Sequence, residues 1–316
     1  MVKAVFMAKM SSSYDDLPER RYHFPHTYLN YASQAVGDWI VYYEPRRPSM
    51  DLMSSGGRQA YFATARVERI EPDPMRQDHF YAELSSYLEF TRAVPFVEDT
   101  HYYEHALQKD DGSTNKGAFG RSIRLLPDAE YDQIWRAGFG HLIGLESRLR
   151  TAPDVDEDAW QPLISVAEEP NVFRYSGLEE VDRRIVEQLV SRPFRDRAFA
   201  AAVKTAYRDT CAITGLKIIN GGGRSEVQAA HIRPVHANGP DSIRNGLALS
   251  GTIHWMFDRG LIAVDDDYRL LVAKNCLPDV AQRLLPAGGY ISPPKREDLR
   301  PHPVFLDYHR RTIFKG

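Results

Sequence analysis

The chain has 316 residues, 43% hydrophobic and 26% charged, with a formal net charge of −3. That length suits two domains, and that composition suits a soluble globular protein rather than a generic polyanion binder. No apolar run approaches the ~20 residues of a membrane span. Two cysteines, Cys211 and Cys276, exclude a disulfide framework and a four-cysteine zinc knuckle, and they fit a reducing cytoplasm.

Taken in order, residues 1–140 read as β-rich. Ala4–Met7 is a first strand, too short to be a signal peptide. Gly37–Glu44 and Ala60–Ile70 are rich in β-formers, and His79–Leu84 and Tyr87–Phe90 continue the pattern. Many short strands imply a small curled sheet or barrel. Asp128–Gly138 reads as a short helix, with Asp128 as its N-cap and Gly138 ending it. Residues 141–190 read as a linker, acidic at first and then helical, with Leu178, Val181, Ile185 and Leu189 at helical spacing. The third region, 191–316, opens with Ser191-Arg-Pro-Phe as a cap, followed by a helix to about Tyr207 that buries Phe194, Phe199 and Val203. The tail after 290 is basic and reads as ordinary solvated surface, as do His236 and His309, while Cys211 reads as a buried core thiol.

Most of the chemistry falls between 226 and 258. Val227, Ala229 and His231 alternate with Gln228, Ala230 and Ile232, so the segment is extended up to Pro234. Strand pairing fixes the backbone of His231, as a general base needs if it is to meet a water molecule. Asn238-Gly-Pro-Asp and Arg244-Asn245-Gly246 are loop signals, and Leu247–Leu249 is a second strand. Ser250 caps a helix over Thr252–Arg259, closed by Gly260. His254 and Asp258 are one helical turn apart on a shared face, and an imidazole with a carboxylate suits Mg²⁺ or Mn²⁺.

Tyr207–Gly215, Ala229-Ala-His-Ile-Arg-Pro234, Asn245–Leu249 and His254-Trp-Met-Phe-Asp-Arg-Gly-Leu261 resemble, in order and spacing, the HNH endonuclease family. They are similar in particular to its bacterial branch found in modification-dependent restriction enzymes. The resemblance implies a ββα-metal nuclease domain over 191–316. In it His231 is the general base, Asn245 braces the active-site loop, and His254 and Asp258 hold the metal. The products it implies carry 5′-phosphate and 3′-hydroxyl ends. Many family members place a further ligand just before the base, where this chain has Ala230.

Phe24–Leu29, Gly37–Pro45 and Tyr61–Ile70 resemble the EVE-like branch of the PUA superfamily, which is related in shape to the SRA domains that flip modified cytosines. This resemblance implies a base pocket over 1–140, with Ser13, Tyr14, Asp15, Asp16, Tyr31 and Trp39 as its candidate residues. Asp15 or Asp16 would accept from a cytosine amino group. Most of the other aromatic side chains fill a core.

The expected protein is therefore an α+β chain of three parts: a PUA/EVE-like curled β-barrel at 1–140, a helical linker at 141–190 and an HNH nuclease at 191–316. Its expected role is a cytoplasmic restriction endonuclease that reads 5-methylcytosine or 5-hydroxymethylcytosine in double-stranded DNA and works as a homodimer. Two other readings are a non-catalytic reader of modified nucleic acid, favoured by Ala230, and an RNA-directed nuclease, favoured by the RNA-binding habit of PUA-like domains.

Overall fold

A computed structural model describes residues 2–8, 17–45, 59–150, 191–274 and 276–316, without the side chains of 141 and 143–150. The linker stretch 151–190 lies outside the described residues. So do Ser13, Tyr14, Asp15 and Asp16 of the expected base pocket. The chain divides into two compact units: one ends at Gly144 and takes in 191–198, and the other takes in 145–150 and 199–316.

The first unit is built on a six-stranded sheet. Its strands are β1 (Lys3–Met7), β2 (Arg21–Pro25), β3 (Trp39–Glu44), β4 (Ala60–Pro72), β5 (His79–Pro95) and β8 (Ile123–Leu126), in the order β2-β5-β4-β3-β1-β8. The short pair β6 (Val97–Glu98) and β7 (His101–Tyr102) lies outside it. β1 runs parallel to β3, and the other neighbours are antiparallel. Register shifts between Tyr42/Tyr43, Tyr61/Ala63, Thr64/Arg66 and Val67/Arg69 add twist. The sheet curls into a half-barrel, far enough that the Tyr22 hydroxyl on edge strand β2 donates to the carbonyl of Met7 on β1 at 2.9 Å. Phe6, Tyr22, Phe24, Tyr42 and Tyr87 fill the hollow, with Phe6 and Tyr22 ring centroids 4.8 Å apart.

Helix α1 (Leu29–Gln34) packs on this barrel, and α2 (Lys116–Phe119) is a single turn capped by the Asn115 side chain. Helix α3 (Asp128–Arg150) corrects the sequence expectation by running through Gly138. Gly138 is not a stop because its missing side chain is needed for packing. A Cβ there would lie 2.5 Å from Cγ of Phe90, and the Thr91 hydroxyl donates to the Gly138 carbonyl at 2.8 Å. Helix α4 (Arg192–Ala206) starts where Ser191-Arg-Pro places it. Its Phe194 stacks on Trp135 of α3 in the first unit, and its Phe199 and Val203 enter the core of the second.

That second core sets Phe199, Ile232, Leu247, Leu249, Ile253 and Phe305 together. Its frame is the antiparallel pair β9 (Gln228–His231) and β10 (Gly246–Leu249), followed by α5 (Gly251–Asp258). A second pair, β11 (Ile262–Val264) with β12 (Leu270–Val272), precedes the short α6 (Asp279–Gln282) and α7 (Pro303–Thr312). Among the described residues no helix is long and apolar enough to cross a membrane.

Candidate nuclease site

Strand β9, the loop after it and helix α5 carry the candidate side chains. In the β9–β10 register His231 faces Gly246, and Gly246 has no room for a side chain: a Cβ would stand 2.5 Å from Val203 and 3.1 Å from Phe199. The phenyl ring of Phe199 stacks flat on the His231 imidazole, with centroids 3.8 Å apart and planes 13° apart. Its Nε2 lies 2.9 Å from Oδ1 of Asp241, a carboxylate only 3% exposed. With Nε2 donating to that carboxylate, the other ring nitrogen carries the lone pair. Among the described residues it has no hydrogen-bond partner. A planar stack and a buried carboxylate on one nitrogen fix the ring with the other nitrogen unbonded, the geometry a general base would need.

Asp241 was not legible in the sequence, where Asn238-Gly-Pro-Asp reads only as a loop. The loop's own geometry delivers it. Asn238 is left-handed at φ 60°, and Gly239 passes so close to the chain that a Cβ would sit 1.8 Å from the Arg233 carbonyl oxygen. Gly-Pro-Asp was the available signal, a glycine forced by close approach with a carboxylate two residues later.

Asn245 is fully buried and holds this loop shut. Its Oδ1 accepts from Arg233 N–H at 2.8 Å, and its Nδ2 donates to the carbonyls of Arg233 and Pro240, both at 2.9 Å. Its own carbonyl accepts from Ile232 N–H at 2.8 Å. One residue thereby ties both ends of the segment between His231 and Asp241.

Helix α5 is anchored by the Glu226 carboxylate, which accepts from Gly251 N–H at 2.8 Å at its positive end. Gly260 ends it at φ 70°, pressed to within 2.0 Å of the Ile313 carbonyl oxygen, measured from where a Cβ would be. Ser250 takes the N-cap position, and no side-chain cap bond is formed there. His254 Nε2 and Asp258 Oδ2 lie 3.4 Å apart on the helix surface. His254 Nδ1 pairs with Oε1 of Gln228 on β9 at 2.8 Å, so Nδ1 carries the proton and Nε2 is left to accept. Two donors on one hard ion, each at about 2.1 Å, sit about 3 Å apart, so Nε2 and Oδ2 fit adjacent positions on a single divalent cation. Among the described residues no group of three or more His, Cys, Asp or Glu side chains could hold a metal.

Ala230, where family members carry a further ligand, is wholly buried in the core. Tyr31 lies half-buried against the half-barrel core and Trp39 is buried at the start of β3, both in the first unit. His236 is exposed as expected, but His309 is buried, which corrects its surface reading. It follows Phe305 and Leu306 on the inward face of α7, stacks on Phe257 at 3.8 Å and donates to the Phe257 carbonyl. Cys211 is buried, as expected.

Residues 211–265 match the family model HNH_2, described as HNH endonuclease. The chain carries an HNH endonuclease domain. Two solved structures resemble parts of this chain. One is a "Modification dependent TagI restriction endonuclease", at 27% identity over 39% of this chain and 40% of that one, with a TM-score of 0.31. The other is the "Type IV phosphorothioation-dependent restriction endonuclease ScoMcrA", at 11% identity over 80% of this chain and 52% of that one, with a TM-score of 0.19. This chain thus spans under two thirds of either structure's chain. No curated protein matches it.

Proposed function

We propose that the chain is a metal-dependent endodeoxyribonuclease that cuts double-stranded DNA carrying a modified cytosine. The observation that carries the reading is the arrangement on β9. There His231 is oriented by a buried carboxylate, and three residues earlier Gln228 orients His254 of the His254/Asp258 pair.

His231 takes a proton from water through its unbonded nitrogen. The water oxygen attacks phosphorus and the bond to the 3′ oxygen breaks; the departing oxygen takes a proton from solvent, leaving 5′-phosphate and 3′-hydroxyl ends. Asp241 balances the positive imidazole while the proton resides there, and Phe199 keeps its plane. Asn245 preserves the distance between base and carboxylate by closing the loop. Mg²⁺ or Mn²⁺ held by His254 and Asp258 would polarise the scissile phosphate and neutralise the departing oxygen.

The half-barrel of the first unit serves as the reader, a PUA/EVE-like domain that extrudes 5-methylcytosine or 5-hydroxymethylcytosine. Its pocket draws on Ser13, Tyr14, Asp15, Asp16, Tyr31 and Trp39. One HNH site cuts one strand, so double-strand cleavage takes a homodimer. The protein works in the cytoplasm.

The test is digestion of matched DNAs carrying cytosine, 5-methylcytosine, 5-hydroxymethylcytosine or its glucosylated form, with and without EDTA. Metal-dependent cutting restricted to a modified DNA supports the reading. Equal cutting of all four removes the reader half of it, and no cutting with any divalent ion removes the nuclease half.

A further inference from the structure

Trp255, the residue after His254, has no part in the chemistry above. It is 58% exposed, and among the described residues its indole has no ring, cation or hydrogen-bond partner. The inward face of α5 is Ile253, Met256 and Phe257, so Trp255 lies on the outward face with Asp258. Arg259 follows one turn after Trp255 and is also exposed. Lys315 is brought beside the helix end by its backbone N–H, which donates to the Gly260 carbonyl at 3.0 Å. Neither cation has an acidic partner among the described residues, whereas Arg296, Arg300, Arg310 and Arg311 are all paired with carboxylates.

We propose that Trp255 is an apolar wedge that seats against the sugars and base edges of duplex DNA beside the phosphate to be cut, with Arg259 and Lys315 meeting the flanking phosphates. The proposal rests on the nuclease reading and specifies how its substrate is held. A strand that brings a phosphate to His254 and Asp258 must cross the outward face of α5. Trp255 and Arg259 are the next row on that face, one residue on from the metal pair. A broad apolar side chain between cationic ones matches a duplex groove, where apolar residues open a base step and cations hold the backbone. Free phosphate or a small phosphodiester would leave the indole in water, so its placement favours a polymer.

The experiment uses the full chain without divalent metal and the duplex that the wild type cuts best among the matched DNAs. Acrylamide quenching reports on exposed indoles, and Trp39 and Trp135 are buried. The expected result is that this duplex shields a quenchable emission that Trp255→Phe removes. Trp255→Ala is expected to bind the labelled duplex about 10- to 100-fold more weakly at an unchanged melting temperature, and Trp255→Phe to keep most of the affinity. A wild type that binds and cuts DNA while Trp255→Ala equals it overturns this inference alone. Shielding that follows protein concentration rather than DNA also overturns it, since a second copy would then cover the face. Shielding by structured RNA but not by duplex DNA overturns it as well. A wild type that neither binds nor cuts any duplex removes the nuclease reading and this inference together.

Discussion

Asn245 shows how much one side chain can hold in place. Its amide satisfies three backbone groups of the loop between His231 and Asp241, in a position fully closed to water. Asn245→Ala leaves those groups unpaired and is expected to cost about 2–4 kcal/mol, measured by denaturant unfolding, and to reduce cutting even where the domain stays folded. His231→Ala is expected to lower the cleavage rate about 10²- to 10⁴-fold while the affinity for DNA holds, read by plasmid cleavage and by binding without metal. Gln228→Ala leaves His254 without its partner and is expected to weaken metal affinity about 10- to 100-fold, measured by metal titration of cleavage. The candidate residues His231, Asn245, His254 and Asp258 stand out in the sequence because their spacing forms a motif. Asp241 and Gln228 do not, because each reaches its histidine through tertiary geometry, one by a tight loop and the other across from strand to helix.

At the scale of elements, β9, β10, α4 and α5 were legible because alternation, proline and glycine mark them, with Gly260 at the end of α5 the plainest, whereas β11, β12, α6 and α7 carried no such marks and were not expected. Helix α3 exceeded its expected end because a glycine can serve packing as well as termination, and Phe90 beneath Gly138 decided which. Helix α7 misled through His309, a polar residue on a buried face. Burial holds its pKa down at about 4, against which the hydrogen bond to the Phe257 carbonyl acts only weakly. Among the described residues its Nδ1 has no hydrogen-bond partner, so a proton there would be buried unpaired. The unfolded chain binds that proton near pH 6.5 and the folded chain near pH 4. The stability that follows from a neutral His309 is therefore complete above about pH 6.5 and declines as pH falls toward 4, by about 3 kcal/mol. Unfolding of wild type and His309→Phe across that range is the check, and the variant is expected to lose less stability on acidification.

At the scale of the whole molecule, a half-barrel filled by its own aromatic rings is joined in one chain to an HNH domain. The sequence showed the curled sheet through its run of short β-rich segments, and its aromatic density was mostly core, as Phe6, Tyr22, Phe24 and Tyr42 demonstrate. The proposed base pocket draws on the Ser13–Asp16 run, which lies outside the described residues, together with Tyr31 and Trp39. Asp15→Ala with Asp16→Ala is expected to erase discrimination between modified and unmodified DNA while metal-dependent cutting persists, measured by digestion of matched duplexes.

In the proposed reaction, His231 and a divalent ion at His254 and Asp258 let this chain cut DNA. Cleavage of a 5-methylcytosine-bearing plasmid by wild type and His231→Ala, with Mg²⁺ or Mn²⁺ and with EDTA, tests it most directly. Nicking by the wild type that EDTA stops and His231→Ala lacks is the predicted result. Nicking that persists in His231→Ala or in EDTA would contradict the account.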